Sequence, residues 1–248
     1  LDPYDLIVCD YEPVTSWACK ARGRETIGIG HQYAFGKKTP ITGDTPMSRL
    51  VMQQFAPVDV PVGLHWAAFD ENVLPPILDL PEIDTTAKAD HILVYLPFES
   101  QNVTTAWLQG FSDQSFIQYS PEVCDGVQGN VVRRKANIHG FKRDLAAAKG
   151  VICNTGFELI SECLQWKKPV LTRPLAKQME QLSNAAALEQ LGYATTMQSL
   201  ETQTARRWLD AMPEAPDVHF KDVAAALAEW LARGASRPVA ELTGQLWS

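Results

Sequence analysis

From residue 91 onward the chain alternates short β-branched apolar runs with stretches of helical length, and that alternation leaves few architectures open. "HILVYLPF" (91–98), "SFIQYS" (115–120), "GVICN" (150–154) and "KPVLTRP" (168–174) read as buried strands. Between and after them come "SQNVTTAWLQGF", "FKRDLAAAKG", "TGFELISECLQWK" and "KQMEQLSNAAALEQLG". The spacing predicts helices there: the first capped by Ser100, the second ending at Gly150, the last closed by Gly192 in the C′ position. Strands separated by such helices form βαβ units, hence an α/β fold with parallel sheets covered on both faces. "ETQTARRWLDAM" and "DVAAALAEWLARG" add terminal helices.

The first part follows the same logic less regularly. "DLIVCD" (5–10) and "TIGIGHQYAF" (26–35) read as strands, the second opening into a loop at His31. "SWACKARG" is a short helix ending at Gly23, and "TPMSRLVMQQFA" a helix with Pro46 in its first position. "VDVPVGLHW" is extended, and Pro75-Pro76 interrupts either kind of element. The predicted organisation is therefore two Rossmann-like domains, residues 1–76 and 77–248. The chain begins with a Leu and runs almost at once into a strand, so the first domain is expected to be incomplete.

Composition narrows the function. Lys and Arg number 22 against 29 Asp and Glu, a net charge of −7. An acidic chain whose densest basic spots are Arg133-Arg134-Lys135 and Lys37-Lys38 is not built like a nucleic-acid binder. Five widely spaced cysteines without a C-x-x-C argue for reduced thiols in a cytoplasmic protein, and scattered histidines argue against a protein-held metal. No apolar run approaches the ~20 residues of a membrane span.

In open α/β sheets ligands bind beyond the carboxyl ends of the strands. The loop Asn154-Thr155-Gly156 lies at such an end. Thr155 and Glu158 have capping-box spacing, which by itself accounts for Glu158. Glu162 has no such account. It sits one turn beyond Glu158, where like charges cost about 0.2–0.5 kcal/mol on an isolated helix. Its side chain leans toward the helix N-terminus, so it is either a solvated surface residue or a carboxylate for paired sugar hydroxyls. Lys177, Gln178, Glu180 and Gln181 follow the next strand and could read hydroxyls or face a phosphate. In the first domain His31 and Gln32 end a strand. His31 is either a proton shuttle or a loop histidine bonded to backbone. Asp10 and Glu12 end the strand before; they cap a helix or face the same cleft.

Taken together, T-G-x4-S-E at 155–162, K-P-V-L at 168–171 and P-x3-Q-x2-Q-x2-N-A-x2-L-E-x-L-G at 174–192 resemble the donor half of GT-B glycosyltransferases. The resemblance is to the family of the bacterial N-acetylglucosaminyltransferase that makes the peptidoglycan lipid precursor. Within it, "DYEP", "GHQYAF", "LHW", "LPP" and "LVYLPFE" are similar to a bacterial and archaeal branch. It implies two Rossmann-like domains facing a cleft, with a nucleotide sugar, usually a UDP-sugar, on the C-terminal one. It also implies a metal-independent transfer with inversion and no cofactor beyond that donor.

By position Glu162 matches the glutamate that takes the ribose hydroxyls, and Thr155 and Gly156 the turn beside the diphosphate. Glu180 and Gln181 match the pair that reads the donor sugar, and Asn184 the helix asparagine after it. Ile138 and His139 fall where relatives hold the base. Two departures stand out. The glycine-rich turn of relatives is replaced by Pro97-Phe98-Glu99-Ser100, which puts a carboxylate where a diphosphate is expected, although Ser100 can still turn helix N–H groups toward it. Asn154 stands where relatives carry a basic residue, leaving Lys177 and Arg173 as the nearest cations in sequence. The catalytic base is His31 or a residue ahead of Leu1. The acceptor is not identified by the sequence; a saccharide and a lipid-linked group are the candidates, the latter requiring a peripheral place at the inner membrane face. A nucleotide-sugar epimerase of the same fold and a non-catalytic nucleotide-sugar binder are the competing readings.

Overall fold

The computed structural model describes residues 3–36, 38–83 and 89–248, which excludes Lys37 of the second basic spot. The chain divides into two compact units, Leu1–Leu78 with Phe220–Ser248, and Asp79–His219.

The first unit is a four-stranded parallel sheet in the order β1 (Val8–Cys9), β2 (Ile27–Gly30), β3 (Val60–Leu64), β4 (Val73–Leu74). Helix α1 (Pro13–Arg22) links the first pair and α2 (Pro46–Phe55) the second. Local chemistry sets their ends. Glu12 accepts the Val14 and Thr15 amides, Pro13 follows it, and Gly23 closes α1 at φ 63°. Thr45 and Ser48 cap α2 reciprocally. A 3-10 turn, His31–Ala34, follows β2 and lies hard against β3. A Cβ on Gly63 would stand 2.6 Å from Ala34 Cα, so only glycine lets the turn approach.

The sequence reading ended the second domain at residue 248. The structure instead returns Phe220–Ser248, carrying α8 (Val223–Ala232) and α9 (Val239–Leu246), to the first unit. Trp247 donates its indole N–H to Val73 O at 2.8 Å and Thr243 its hydroxyl to Glu71 O at 2.7 Å. These bonds satisfy buried backbone acceptors around β4, and an apolar helical pattern in sequence says nothing of which sheet it will cover.

The second unit contains β5 (Ile92–Tyr95), α3 (Gln101–Gln109), β6 (Phe116–Ser120), β7 (Gly126–Gln128), β8 (Val131–Lys135) and α4 (Ile138–Ala147). There follow β9 (Gly150–Asn154), α5 (Phe157–Gln165), β10 (Val170–Arg173), α6 (Met179–Leu191), β11 (Thr195–Thr196) and α7 (Thr202–Ala211). The sheet order is β11-β10-β9-β5-β6-β8-β7, parallel except for β7. Helix α4 stops at Ala147, short of the expected end, because Gly150 already pairs as the first residue of β9. The β7–β8 hairpin has no counterpart in the sequence reading. Its core includes Ile92, Val94, Leu108, Phe116, Ile152, Leu171 and Trp208, all buried.

Numbered in chain order, the six parallel strands run 6-5-4-1-2-3 across the sheet, the doubly wound order. Strand direction of travel reverses between β5 and β9. The loops leaving their carboxyl ends must diverge to opposite faces, which opens a crevice there.

Candidate functional site

The crevice is bounded by the β5–α3 loop, residues 96–100, and the β9–α5 loop, residues 154–156, with the end of β10 beside them. Arg173, the last residue of β10, is in register with Asn154, the last of β9. Its guanidinium forms an ion pair with Glu99, and each side chain retains 17% exposure. The carboxylate that looked misplaced in sequence is therefore neutralised by the cation that sequence reasoning named for phosphate. Arg173 Nε is buried with no acceptor among the described residues. Asn154 is 6% exposed; its Nδ2 donates to Arg173 O at 3.1 Å, while its Oδ1 accepts no hydrogen bond from the described residues. A pair of buried polar atoms left unsatisfied at a switch point is uncommon in native cores.

Thr155 does not form the expected capping box. Its hydroxyl turns inward to Thr172 Oγ1 at 2.9 Å, Glu158 is exposed, and α5 begins at Phe157, with Gly156 as an N-cap that offers no side chain. The N–H groups of the first turn of α5 thus keep their capacity for an outside acceptor. Ser100 likewise holds the N-cap position of α3, exposed, without capping it through its hydroxyl. Gln101 fixes the loop instead, donating to Leu96 O and Glu99 O.

The expected sugar readers behave differently. Gln181 Oε1 accepts the amides of Thr155 at 3.3 Å and Leu175 at 3.1 Å, clamping two loops together. Asn184, fully buried, donates to Thr155 O at 3.2 Å. Through these atoms both tie loop backbone together at the crevice. Glu180 is half-buried and Lys177 exposed, the latter in a left-handed conformation at φ 68°, which costs a non-glycine residue energy. Ile138, the first residue of α4, is 65% exposed.

Glu162 is 13% exposed and ion-paired through Oε1 with Lys142 of α4, itself 14% exposed. Lys142 was not singled out in sequence. It offsets the repulsion from Glu158 and Asp79, and burial remains the larger influence, pushing the Glu162 carboxyl above its ordinary range.

In the first unit Asp10 is exposed and Gln32 half-buried, and a Cβ on Gly30 would lie 3.5 Å from both side chains. Both lie beside Gly30, the last residue of β2. Glu12 is the α1 cap described above. His31, 6% exposed, donates from Nδ1 to Leu64 O at 2.8 Å and packs against Phe35, His65 and Trp66. The backbone bond holds the ring through Nδ1 and fixes its orientation. His65 is buried beside it, and desolvation together with the His31 charge holds its imidazole down to about 2.

Among the described residues no group of three or more His, Cys, Asp or Glu side chains could hold a metal ion, and no helix is long and apolar enough to cross a membrane.

Solved structures share this architecture. The glycosyltransferase SnogD from Streptomyces nogalater matches 98% of the chain with 72% of its own length, at 15% identity and a TM-score of 0.52. The Streptomyces sp. SF2575 glycosyltransferase SsfS6, solved with thymidine diphosphate, matches 98% with 68% of its length at 12% identity and a TM-score of 0.55. Os79 from O. sativa, in complex with U2F and trichothecene, matches 95% with 72% of its length at 14% identity and a TM-score of 0.55. The fold is that of GT-B glycosyltransferases. Comparison with curated protein sequences gave no match. Residues 3–213 match the model of glycosyl transferase family 1, and the chain belongs to that family.

Proposed function

We propose that this chain transfers a sugar from a nucleoside diphosphate sugar, of the UDP type, to an acceptor hydroxyl, inverting the anomeric centre. In this reading the crevice at the β5/β9 switch point seats the donor. Glu162, oriented by Lys142, takes the ribose hydroxyls. The N–H groups at the start of α5 and of α3 face the diphosphate. Ile138 lies beside the base, and Lys177 and Glu180 flank the sugar.

The observation that carries the proposal is Arg173. It is a guanidinium beside Asn154 at the switch point, with an Nε lacking an acceptor, held by one carboxylate that a diphosphate can replace. As the acceptor oxygen bonds to the anomeric carbon, the bond to the diphosphate breaks and the electron pair leaves with phosphate. Arg173 and the helix amides neutralise that charge, and no metal ion is required of this arrangement. The acceptor proton passes to a base, for which His31, held through Nδ1 by Leu64 O, is the candidate of this chain. The acceptor is a saccharide or lipid-linked group approaching Asp10 and Gln32. The thymidine diphosphate bound to SsfS6 is the reason to test that nucleotide as well.

Calorimetric titration of UDP and thymidine diphosphate into the wild type and Glu162→Ala tests the reading. The expected result is UDP binding that falls at least tenfold in the variant, about 1.4 kcal/mol. Equal UDP affinity in both would remove the ribose contact, and no nucleotide binding by the wild type would remove the donor site.

A further inference from the structure

The β5–α3 loop, one wall of the crevice, contains no glycine: it reads Leu96-Pro97-Phe98-Glu99-Ser100. It closes as a turn, the Glu99 amide donating to Leu96 O at 3.1 Å. Where the carbonyl oxygens of this turn point matters, because a carbonyl dipole aimed at an anion repels it. Two of them are held from inside the unit. Gln101, a buried residue of α3, donates from Nε2 to Leu96 O at 2.9 Å and to Glu99 O at 2.8 Å.

Gln101 is itself held by Gln118 of β6, a residue that sequence reasoning passed over. Gln118 is 1% exposed and in register with Val94 of β5, on the side of β5 away from β9. Its Nε2 donates to Gln101 Oε1 at 2.9 Å and to Gln101 O at 3.1 Å, and its Oε1 accepts the Thr105 hydroxyl at 2.7 Å. Every side-chain nitrogen and oxygen of the two amides therefore has a partner. Neither amide can flip: a flipped Gln101 would set its oxygen against two carbonyls and its nitrogen against that of Gln118. A buried network satisfied in this way is rigid and has one arrangement.

Stability alone does not call for it. The neighbours Phe116, Ile117 and Tyr119 on β6 are buried, and replacing both partners of a buried hydrogen bond by apolar groups of the same shape is nearly neutral. Anchoring α3 to the sheet would account for the bond to Thr105. It does not account for the bonds that run on through Gln101 to the loop, ending on the backbone of Glu99, whose carboxylate is the partner of Arg173.

We propose that Gln118 is a positioning residue for the donor diphosphate. Acting through Gln101, it commits the Leu96 and Glu99 carbonyl oxygens to a buried partner, so that the loop turns its N–H groups and those of the first turn of α3 to the phosphates. This rests on the donor reading of the crevice and names the residues that shape its wall.

The test compares the full chain with Gln118→Met, Gln101→Met and the double variant, since methionine keeps the volume and removes the bonds. UDP is titrated by calorimetry, uridine by ligand-observed NMR, and folding is followed by urea unfolding. The expected result is that Gln118→Met binds UDP about tenfold more weakly, the order of one lost hydrogen bond to a charged group, with uridine affinity within twofold of wild type. The double variant should bind UDP no more weakly than either single variant, because both changes break one relay. It should also unfold close to the wild-type midpoint, and it carries the test if a single variant fails to fold. The proposal is overturned if the ratio of UDP to uridine affinity is the same in Gln118→Met as in wild type, which would leave Gln118 a structural anchor of α3. It is also overturned if the two single losses multiply in the double variant, since Gln118 would then not act through Gln101. Absence of UDP binding by the wild type removes the donor reading itself, and the relay falls with it.

Discussion

The strand ends of the two units treat their polar residues in opposite ways. At the ends of β1 and β2, Glu12 caps a helix and His31 donates through Nδ1 to Leu64, so both already have backbone partners. At the ends of β9 and β10, Asn154 Oδ1 and Arg173 Nε have no partners among the described residues, and the ion pair Glu99–Arg173 remains partly open to solvent. Folding selects the first arrangement for stability. The second carries a desolvation cost with little return, since a half-buried ion pair contributes weakly at best, and such an arrangement is more readily explained by a ligand. Groups at equivalent positions of two similar sheets can thus be sorted by asking which are already satisfied.

The largest effect expected from that contrast is in pH. His65 of the first unit is buried neutral, so its native pKa lies below the unfolded value of about 6.5. Its contribution is fully present above that value and is lost as pH falls, by up to about 1.4 kcal/mol per pH unit for one proton. Glu162 of the second unit has the opposite sign. Its raised pKa means a contribution complete below the unfolded value of about 4.3 and lost as pH rises through the native pKa. Calorimetric unfolding between pH 4 and 7 (roughly the window these groups define) should show stability falling in acid, with His65→Asn reducing the slope. An unchanged slope in that variant would break the assignment.

Next in size are the side chains that tie the loops. Asn184→Leu leaves Thr155 O without its donor and should destabilise the second unit by about 1–3 kcal/mol, read from urea unfolding. Were Asn184 a sugar reader instead, stability would hold and donor affinity would fall. A smaller effect separates the two ion pairs: Lys142→Met should weaken UDP binding by several-fold, through loss of Glu162 orientation, whereas Lys149→Met, which breaks the exposed pair with Asp90, should leave it unchanged.

The fold was legible where burial is two-sided. Residues 92–95 and 150–153 are continuous apolar runs because parallel strands have no solvent face. The β7–β8 hairpin was not, because Arg133, Arg134 and Lys135 hide a strand that lies near the sheet edge. Its signal was the Gly129-Asn130 pair between two short runs, with Gly129 at φ 60°. The motif spacing proposed Thr155, Glu162 and Gln181 as site residues, but could not say where their side chains point. Capping-box spacing cannot tell a threonine that caps from one that bonds across to Thr172. The pairs Glu99–Arg173 and Lys142–Glu162 join separate βα loops and helices, and only the folded sheet order brings them together.

The most direct test of the account is a double-mutant cycle on Glu99 and Arg173 with UDP binding as the readout. If Arg173 is the cation for the diphosphate and Glu99 its resting partner, Glu99→Ala should tighten UDP a few-fold. Arg173→Ala should weaken it at least tenfold, about 1.4 kcal/mol, and the double variant should match Arg173→Ala. Full UDP affinity in Arg173→Ala would contradict the account.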